Sequence, residues 1–257
     1  MPVSIGGLEY EQKVRDSVEK ASKLNKNIEL LPDATAGFNA NEVDLKVKIN
    51  RVLYNIEIKS SPYDQMGGTS VQYSVLPSVK RNPVLKAGKP TLDYDTYSLI
   101  EKALEGSEKD VIDFVNFFKT QAPINLHEKV SGFPMSVSKD AWELATSKGL
   151  LKPLNKKVKL DTTFIANHYK KKNCFYIQIG GAGFFYLASN PLKLPIPKLT
   201  GEIDVEIRAA RSGSSMNATY KMPTVGGGIR AQARLKTQAK SDFTLDNPDH
   251  VLSLFGK

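Results

Sequence analysis

The most regular stretch of the chain is "VDLKVKINRVLYNIEIKSS", residues 43–61. Leu45, Val47 and Ile49 alternate with Asp44, Lys46 and Lys48. After Asn50-Arg51 the alternation resumes, with Ile56 and Ile58 set against Glu57 and Lys59. Period-two patterning on both sides of a short polar break predicts an antiparallel hairpin with one charged face. Ahead of it, "GGLEYEQKVRDSVEKASKL" places Leu8, Val14, Val18 and Ala21 at helical spacing, and "NIELL", closed by Pro32, predicts a short strand. After the polar loop "SSPYDQMGGTS", residues 95–120 predict a helix broken at Gly106-Ser107, with Ile112, Val115 and Phe118 on one face. "SKDAWELATSKG" predicts a shorter helix, capped by Ser138 and stopped by Gly149.

From residue 160 the pattern changes to strands. "CFYIQIGGAGFFYLAS" predicts two strands joined by a Gly-rich turn. "GEIDVEIRAAR" alternates cleanly, as does "GIRAQARLK" after a flexible "GGG". "NKKVK" and "NHYKKKNC" are basic loops. The chain has no internal repeat and no long low-complexity linker, and one compact α/β domain is the simplest organisation.

The hairpin's charged face carries the chemistry. A turn centred between Asn50 and Arg51 places Asp44 directly opposite Glu57. Residues so paired have Cβ atoms about 4.5–5.5 Å apart. Two carboxylates that close repel each other, and a hard divalent cation such as Mg²⁺ removes the conflict. Lys59, two residues beyond Glu57, emerges on the same face. On a helical wheel at 100° per residue, Val14, Val18 and Ala21 fall at about 240°, 280° and 220° from Leu8. Glu11 falls among them at about 300°, and Glu9 on the far side at about 100°. Glu11 therefore points toward whatever the helix packs on, where a carboxylate needs a partner.

A helix with an inward Glu11 preceded by Gly7, then Asp44 on a second strand and Glu57-Ile58-Lys59 on a third, resembles the PD-(D/E)XK nuclease superfamily. The resemblance covers roughly residues 5–62. It implies a restriction-endonuclease-like core of helix, three-strand antiparallel meander, helix and strand, with a catalytic core in residues 1–125. It further implies that Asp44, Glu57 and the backbone carbonyl of Ile58 ligate Mg²⁺, as one or two ions. Glu11 would hold a water or second ion, and Lys59 would orient the attacking water and stabilise the phosphorane. The implied activity is Mg²⁺-dependent hydrolysis of double-stranded DNA, of restriction-enzyme type. A phage or mobile-element nuclease (homing, DNA-degrading or junction-resolving) and a non-catalytic DNA-binding protein on the same fold stay open, as does a homodimer.

Charge adds a partner to this picture. Residues 1–120 carry 16 basic and 17 acidic side chains, whereas residues 121–257 carry 20 and 10, so the net +9 arises in the second half. Clustered Lys and Arg suit a nucleic acid. The candidate DNA-binding residues of the basic, β-rich part, 150–257, are Lys170, Lys171 and Lys172, then Arg208 and Arg211, then Arg230, Gln232, Arg234 and Lys236. The last four share one face of "IRAQARLK", and Arg and Gln are the side chains that pair bidentately with guanine and adenine. Pairing of that strand's arginines with Glu202, Asp204 and Glu206 is the competing expectation. His127, His168 and His250 are scattered, which argues against a zinc site. The single cysteine, Cys174, is expected to be buried and inert. No apolar run reaches bilayer length and no signal peptide is evident, so a cytoplasmic protein without membrane contact is expected.

Overall fold

Asn50 and Arg51 both take positive φ, 51° and 71°, the left-handed pair that a two-residue hairpin turn requires. The computed structural model describes residues 5–32, 43–71, 106, 108–121, 135–211, 213–218 and 221–256. The helix expected over 95–105 and His127 lie outside these residues, as do the side chains of Val115, His168, Lys171 and Arg230. The protein is of mixed α/β class.

The helices are α1 (Ile5–Leu24), α2 (Glu108–Thr120), α3 (Lys139–Ser147), α4 (Thr162–Lys171) and α5 (Pro248–Phe255). The first strands are β1 (Ile28–Leu30), β2 (Leu45–Ile49), β3 (Val52–Lys59), β4 (Gln65–Val71), β5 (Met135–Ser138) and β6 (Lys156–Asp161). They are followed by β7 (Cys174–Ile179), β8 (Gly183–Tyr186), β9 (Glu202–Arg211), β10 (Ser215–Asn217) and β11 (Met222–Lys236).

The chain packs as two compact units. The first draws on three separated stretches, Met1–Met66, Lys159–Asp204 and Arg234–Lys257. Its sheet runs β1-β2-β3-β7-β8. β1, β2 and β3 form the antiparallel meander, with Leu45 opposite Ile56 and Ile49 opposite Val52, the register expected from the turn. α4 then leads into β7, which lies parallel to β3 with Glu57 beside Ile177 and Ile58 beside Gln178. β3 is therefore an interior strand, which is why Ile56, Glu57 and Ile58 are buried in succession.

α1 covers one face of this sheet. Val14, Val18 and Ala21 join Leu45, Val47, Ile49, Ile56 and Ile58 in one core, completed by Tyr176, Phe184 and the α5 residues Leu254 and Phe255. Burial of each large aliphatic side chain contributes about 1.5–3 kcal/mol. Leu8, expected on this face, is 45% exposed, because it sits at the edge of the apolar stripe. Strand alternation places Glu57 on the opposite face, toward α4.

α4 and α5 correct the reading of the second half as strands and basic loops. Most of "NHYKKKNC" is the end of α4, which is capped by Asp161, whose side chain accepts from the Thr163 amide. Asn247 and Pro248 likewise cap and open α5. "NKKVK" enters β6. The Gly-rich turn after β7 is as expected, and Gly180 is required there. A Cβ at Gly180 would lie 2.2 Å from the Ser60 carbonyl oxygen.

The second unit comprises Gly67–Val158 and Val205–Ala233. α3 is capped by Ser138, which accepts from the Ala141 amide, and Gly149 follows it with φ of 72°. Trp142 stacks on Phe118 and meets Phe114 edge-on, so Phe114 and Phe118 form the buried face of α2, while Ile112 is 56% exposed rather than on that face. The "GGG" read as flexible lies inside β11, with Gly226 opposite Ser136 and Gly227 opposite Met135 of β5.

Candidate functional site

Three of the expected residues converge at the end of the hairpin. Lys59 Nζ is 2.6 Å from Glu57 Oε1 and 3.9 Å from Asp44 Oδ2. Asp44 Oδ2 also accepts the Ile58 amide at 2.8 Å, which ties the residue preceding β2 to β3. The Ile58 side chain is in the core. Glu57 is buried, and its Oε1 accepts the Tyr169 hydroxyl at 2.8 Å.

The surroundings hold these groups in place. Arg15, one turn beyond Glu11 on α1, makes long hydrogen bonds to the main-chain carbonyls of Asp44 and Leu31, at 3.5 and 3.3 Å. Asp64 Oδ2 accepts from the Ser60 amide and hydroxyl at 2.6 and 2.7 Å, closing the loop that follows Lys59. The Gly180 amide donates to the Lys59 carbonyl at 2.8 Å. Tyr10, beside Glu11, accepts from the buried Gln178 side chain at 2.9 Å, which pins the start of α1 to β7.

The electrostatics follow from burial and crowding. Burial and then the charge of Glu57 raise the Asp44 carboxyl from its ordinary 3.8 to about 7. Lys59 and the Ile58 amide oppose that rise, and Glu11 adds to it. Burial works against the charge on Lys59, but Glu57 and Asp44 outweigh it and hold the ammonium protonated well above the usual lysine range. Burial and the adjacent Glu57 push the Tyr169 hydroxyl far up, so it stays a neutral donor. Glu11 is half-buried and its charge is felt at both Asp44 and Lys59.

A divalent cation fits this set. Among the described residues, the hydrogen bonds and ion pairs of the two side chains fall on Asp44 Oδ2 and Glu57 Oε1, so Oδ1 and Oε2 are the oxygens that could face an ion. Once Asp44 is ionised, above about pH 7, two carboxylates and one ammonium leave an excess negative charge, to which Glu11 adds. Among the described residues no three His, Cys, Asp or Glu side chains are grouped to hold a metal.

The candidate DNA-binding residues are more dispersed. Lys170 is exposed on α4, and Lys172 lies 5.5 Å from the centroid of the Tyr169 ring. Arg208 and Arg211 line a cleft of about 610 Å³ in the second unit, with Trp142, Thr146 and Ser147. Gln232 is only 1% exposed, so it does not share an open reading face with Arg234, which is exposed. On that strand it is Lys236 that pairs with Asp204, at 2.5 Å, while Glu202 is taken at 2.9 Å by Lys159 of β6. Cys174 is buried and its thiol donates to the Tyr176 carbonyl. His250, on α5, accepts the Thr244 amide through Nδ1.

Tyr169 and Arg15 were not singled out in the sequence. Tyr169 was legible in principle, since Ile165, Ala166 and Tyr169 stand at helical spacing after the cap Asp161 and are all buried. Among the described residues no helix is long and apolar enough to cross a membrane. No family model, curated protein or solved structure matches this chain.

Proposed function

We propose that this protein is a divalent-metal-dependent deoxyribonuclease of the PD-(D/E)XK type, hydrolysing phosphodiester bonds in double-stranded DNA. The observation that carries the reading is the convergence of Asp44, Glu57 and Lys59 at the end of one hairpin. The element order supports it. α1 and the β1–β2–β3 meander are followed, across a long insertion, by α4 and a strand parallel to β3. That order agrees with the helix, meander, helix and strand expected of a restriction-endonuclease-like core.

Asp44 Oδ1, Glu57 Oε2 and the Ile58 carbonyl would hold Mg²⁺. Bound there, the ion supplies Lewis-acid polarisation of the scissile phosphate and lowers the pKa of an attacking water. Lys59 contributes a permanent positive charge and three N–H donors for the negative charge that develops on the phosphorus oxygens. Glu11 adds negative potential at the site. The basic side chains Lys170 and Arg234 supply phosphate contacts that hold the duplex.

Incubation of supercoiled plasmid with the protein and Mg²⁺ tests the reading. Conversion to nicked, linear or fragmented DNA is expected, with none in excess chelator. Intact plasmid under both conditions, with Mn²⁺ as well, would overturn it.

A further inference from the structure

We infer that Tyr169 is a positioning residue for the divalent cation, setting the orientation of the Glu57 carboxylate that ligates it. This rests on the metal-site reading and goes beyond it by giving α4 a part in the site. The Glu57 side chain is 7% exposed, so protein donors rather than bulk water fix its direction. Two donors meet on its Oε1, the Lys59 ammonium at 2.6 Å and the Tyr169 hydroxyl at 2.8 Å.

The two donors respond differently to an arriving cation. The Lys59 ammonium is repelled by it and rides on a flexible four-carbon stem. The Tyr169 hydroxyl is neutral, and its ring is 1% exposed and fixed by packing. It would therefore keep donating to Oε1 with an ion held by the same carboxylate. An outer donor that fixes a ligand carboxylate without competing for its charge is the arrangement that raises metal affinity.

α4 is latched for this task. Asn55 Nδ2, two residues before Glu57 on β3, donates to the Lys172 carbonyl at 3.0 Å and so ties the end of the helix to the ligand's own strand. The Lys172 ammonium lies 5.5 Å from the Tyr169 ring centroid. Strand and helix thus hold hydroxyl and carboxylate in one register.

The test is calorimetric titration of Mn²⁺ into the full chain, stripped with chelator and without DNA, for the parent, Tyr169→Phe and Asn55→Ala. Phenylalanine keeps the buried ring and removes only the oxygen. Tyr169→Phe is expected to weaken Mn²⁺ binding by about 10–100-fold. Half-saturating metal for plasmid cleavage should rise in parallel, while the rate at saturating metal stays within about twofold of the parent's. Asn55→Ala, which loosens α4 without touching Glu57, should shift the binding midpoint the same way by less, and it serves if the phenylalanine chain does not fold. Unchanged Mn²⁺ affinity in the folded variants, even with a lowered thermal transition, would mean that the hydroxyl serves packing alone and overturns the inference. A parent that binds Mn²⁺ but cleaves no DNA would instead overturn the nuclease reading and leave Tyr169 in its place. A parent that binds no Mn²⁺ would overturn both.

Discussion

Lys59 Nζ stands 2.6 Å from the Glu57 Oε1 atom two residues before it on the same strand. Its ammonium stands 3.9 Å from Asp44, so its charge opposes any second cation drawn to the same acidic pair. Lysine is at once a partner of the carboxylates and a competitor of the metal.

Lys59→Met should therefore separate two properties. Removing one partner of a buried ion pair leaves Glu57 uncompensated, which costs about 3–5 kcal/mol. The metal-free variant should melt earlier than the parent, and Mn²⁺ should raise its transition by more than it raises the parent's. Binding of Mn²⁺ should tighten by several-fold, roughly what one competing charge is worth at a partly buried site, while cleavage is lost. Weaker metal binding in Lys59→Met would show that the ammonium supports the ion rather than competing with it.

The raised Asp44 carboxyl gives a pH dependence with a definite sign. Between its ordinary 3.8 and about 7, the folded chain keeps a proton on Asp44 that the unfolded chain releases. Stability of the metal-free protein thus falls as pH rises through that window, by up to about 4 kcal/mol, and stays low above it. Asp44→Asn cannot lose that proton. In chelator it should melt at a higher temperature than the parent above about pH 7, and the difference should close toward about pH 4. Metal binding has the opposite trend, strengthening up to about pH 7 as the proton leaves. Melting curves across this range in chelator and in Mg²⁺ check both.

Glu11 and Glu9 lie on one helix, and the charge of Glu11 is felt at the site. Glu11→Gln should lower cleavage by about 10–100-fold, the loss typical of an outer partner of a metal site. It should also move the Asp44 transition below about 7, because one of the charges that raise it is gone. Glu9→Gln, on the exposed side, should leave both within about twofold of the parent. A larger loss in Glu9→Gln than in Glu11→Gln would reverse the assignment.

DNA contacts should divide by exposure. Lys170→Gln and Arg234→Ala, measured with Ca²⁺ to hold off cleavage, should weaken binding and each lower the salt slope by about 1. Gln232→Ala should leave sequence discrimination untouched and lower stability by about 1–3 kcal/mol, because its side chain is buried. Lost discrimination in Gln232→Ala would restore it to a reading face.

The hairpin was legible because each of its signals is local. Strict alternation fixed the strands, Asn50-Arg51 supplied the turn, and together they set the register that brings Asp44 to Glu57 and Lys59. The cap of α3 was legible for the same reason, since Ser138 bonds to a backbone group three residues away. The helix that faces Glu57 was not. Its lysines masked the Ile165, Ala166 and Tyr169 stripe, and its place against β3 depends on pairing with β7 more than a hundred residues along the chain. Nor does alternation in "IRAQARLK" report burial. β11 is 15 residues long, and Gln232 is buried beside Ala233 where the pattern put it outside. Local periodicity shows which residues share a face, but packing against distant elements decides which face meets water.

The most direct measurement is cleavage of supercoiled plasmid by Glu57→Gln beside the parent, with the thermal transition of both recorded in chelator. Glutamine keeps the shape of the side chain and can still accept from Tyr169, so the fold should persist while a metal ligand and its charge are lost. The account predicts Mg²⁺-dependent cleavage by the parent and a rate at least about a hundredfold lower for a folded Glu57→Gln. Mg²⁺-dependent cleavage at the parent's rate by Glu57→Gln would contradict it.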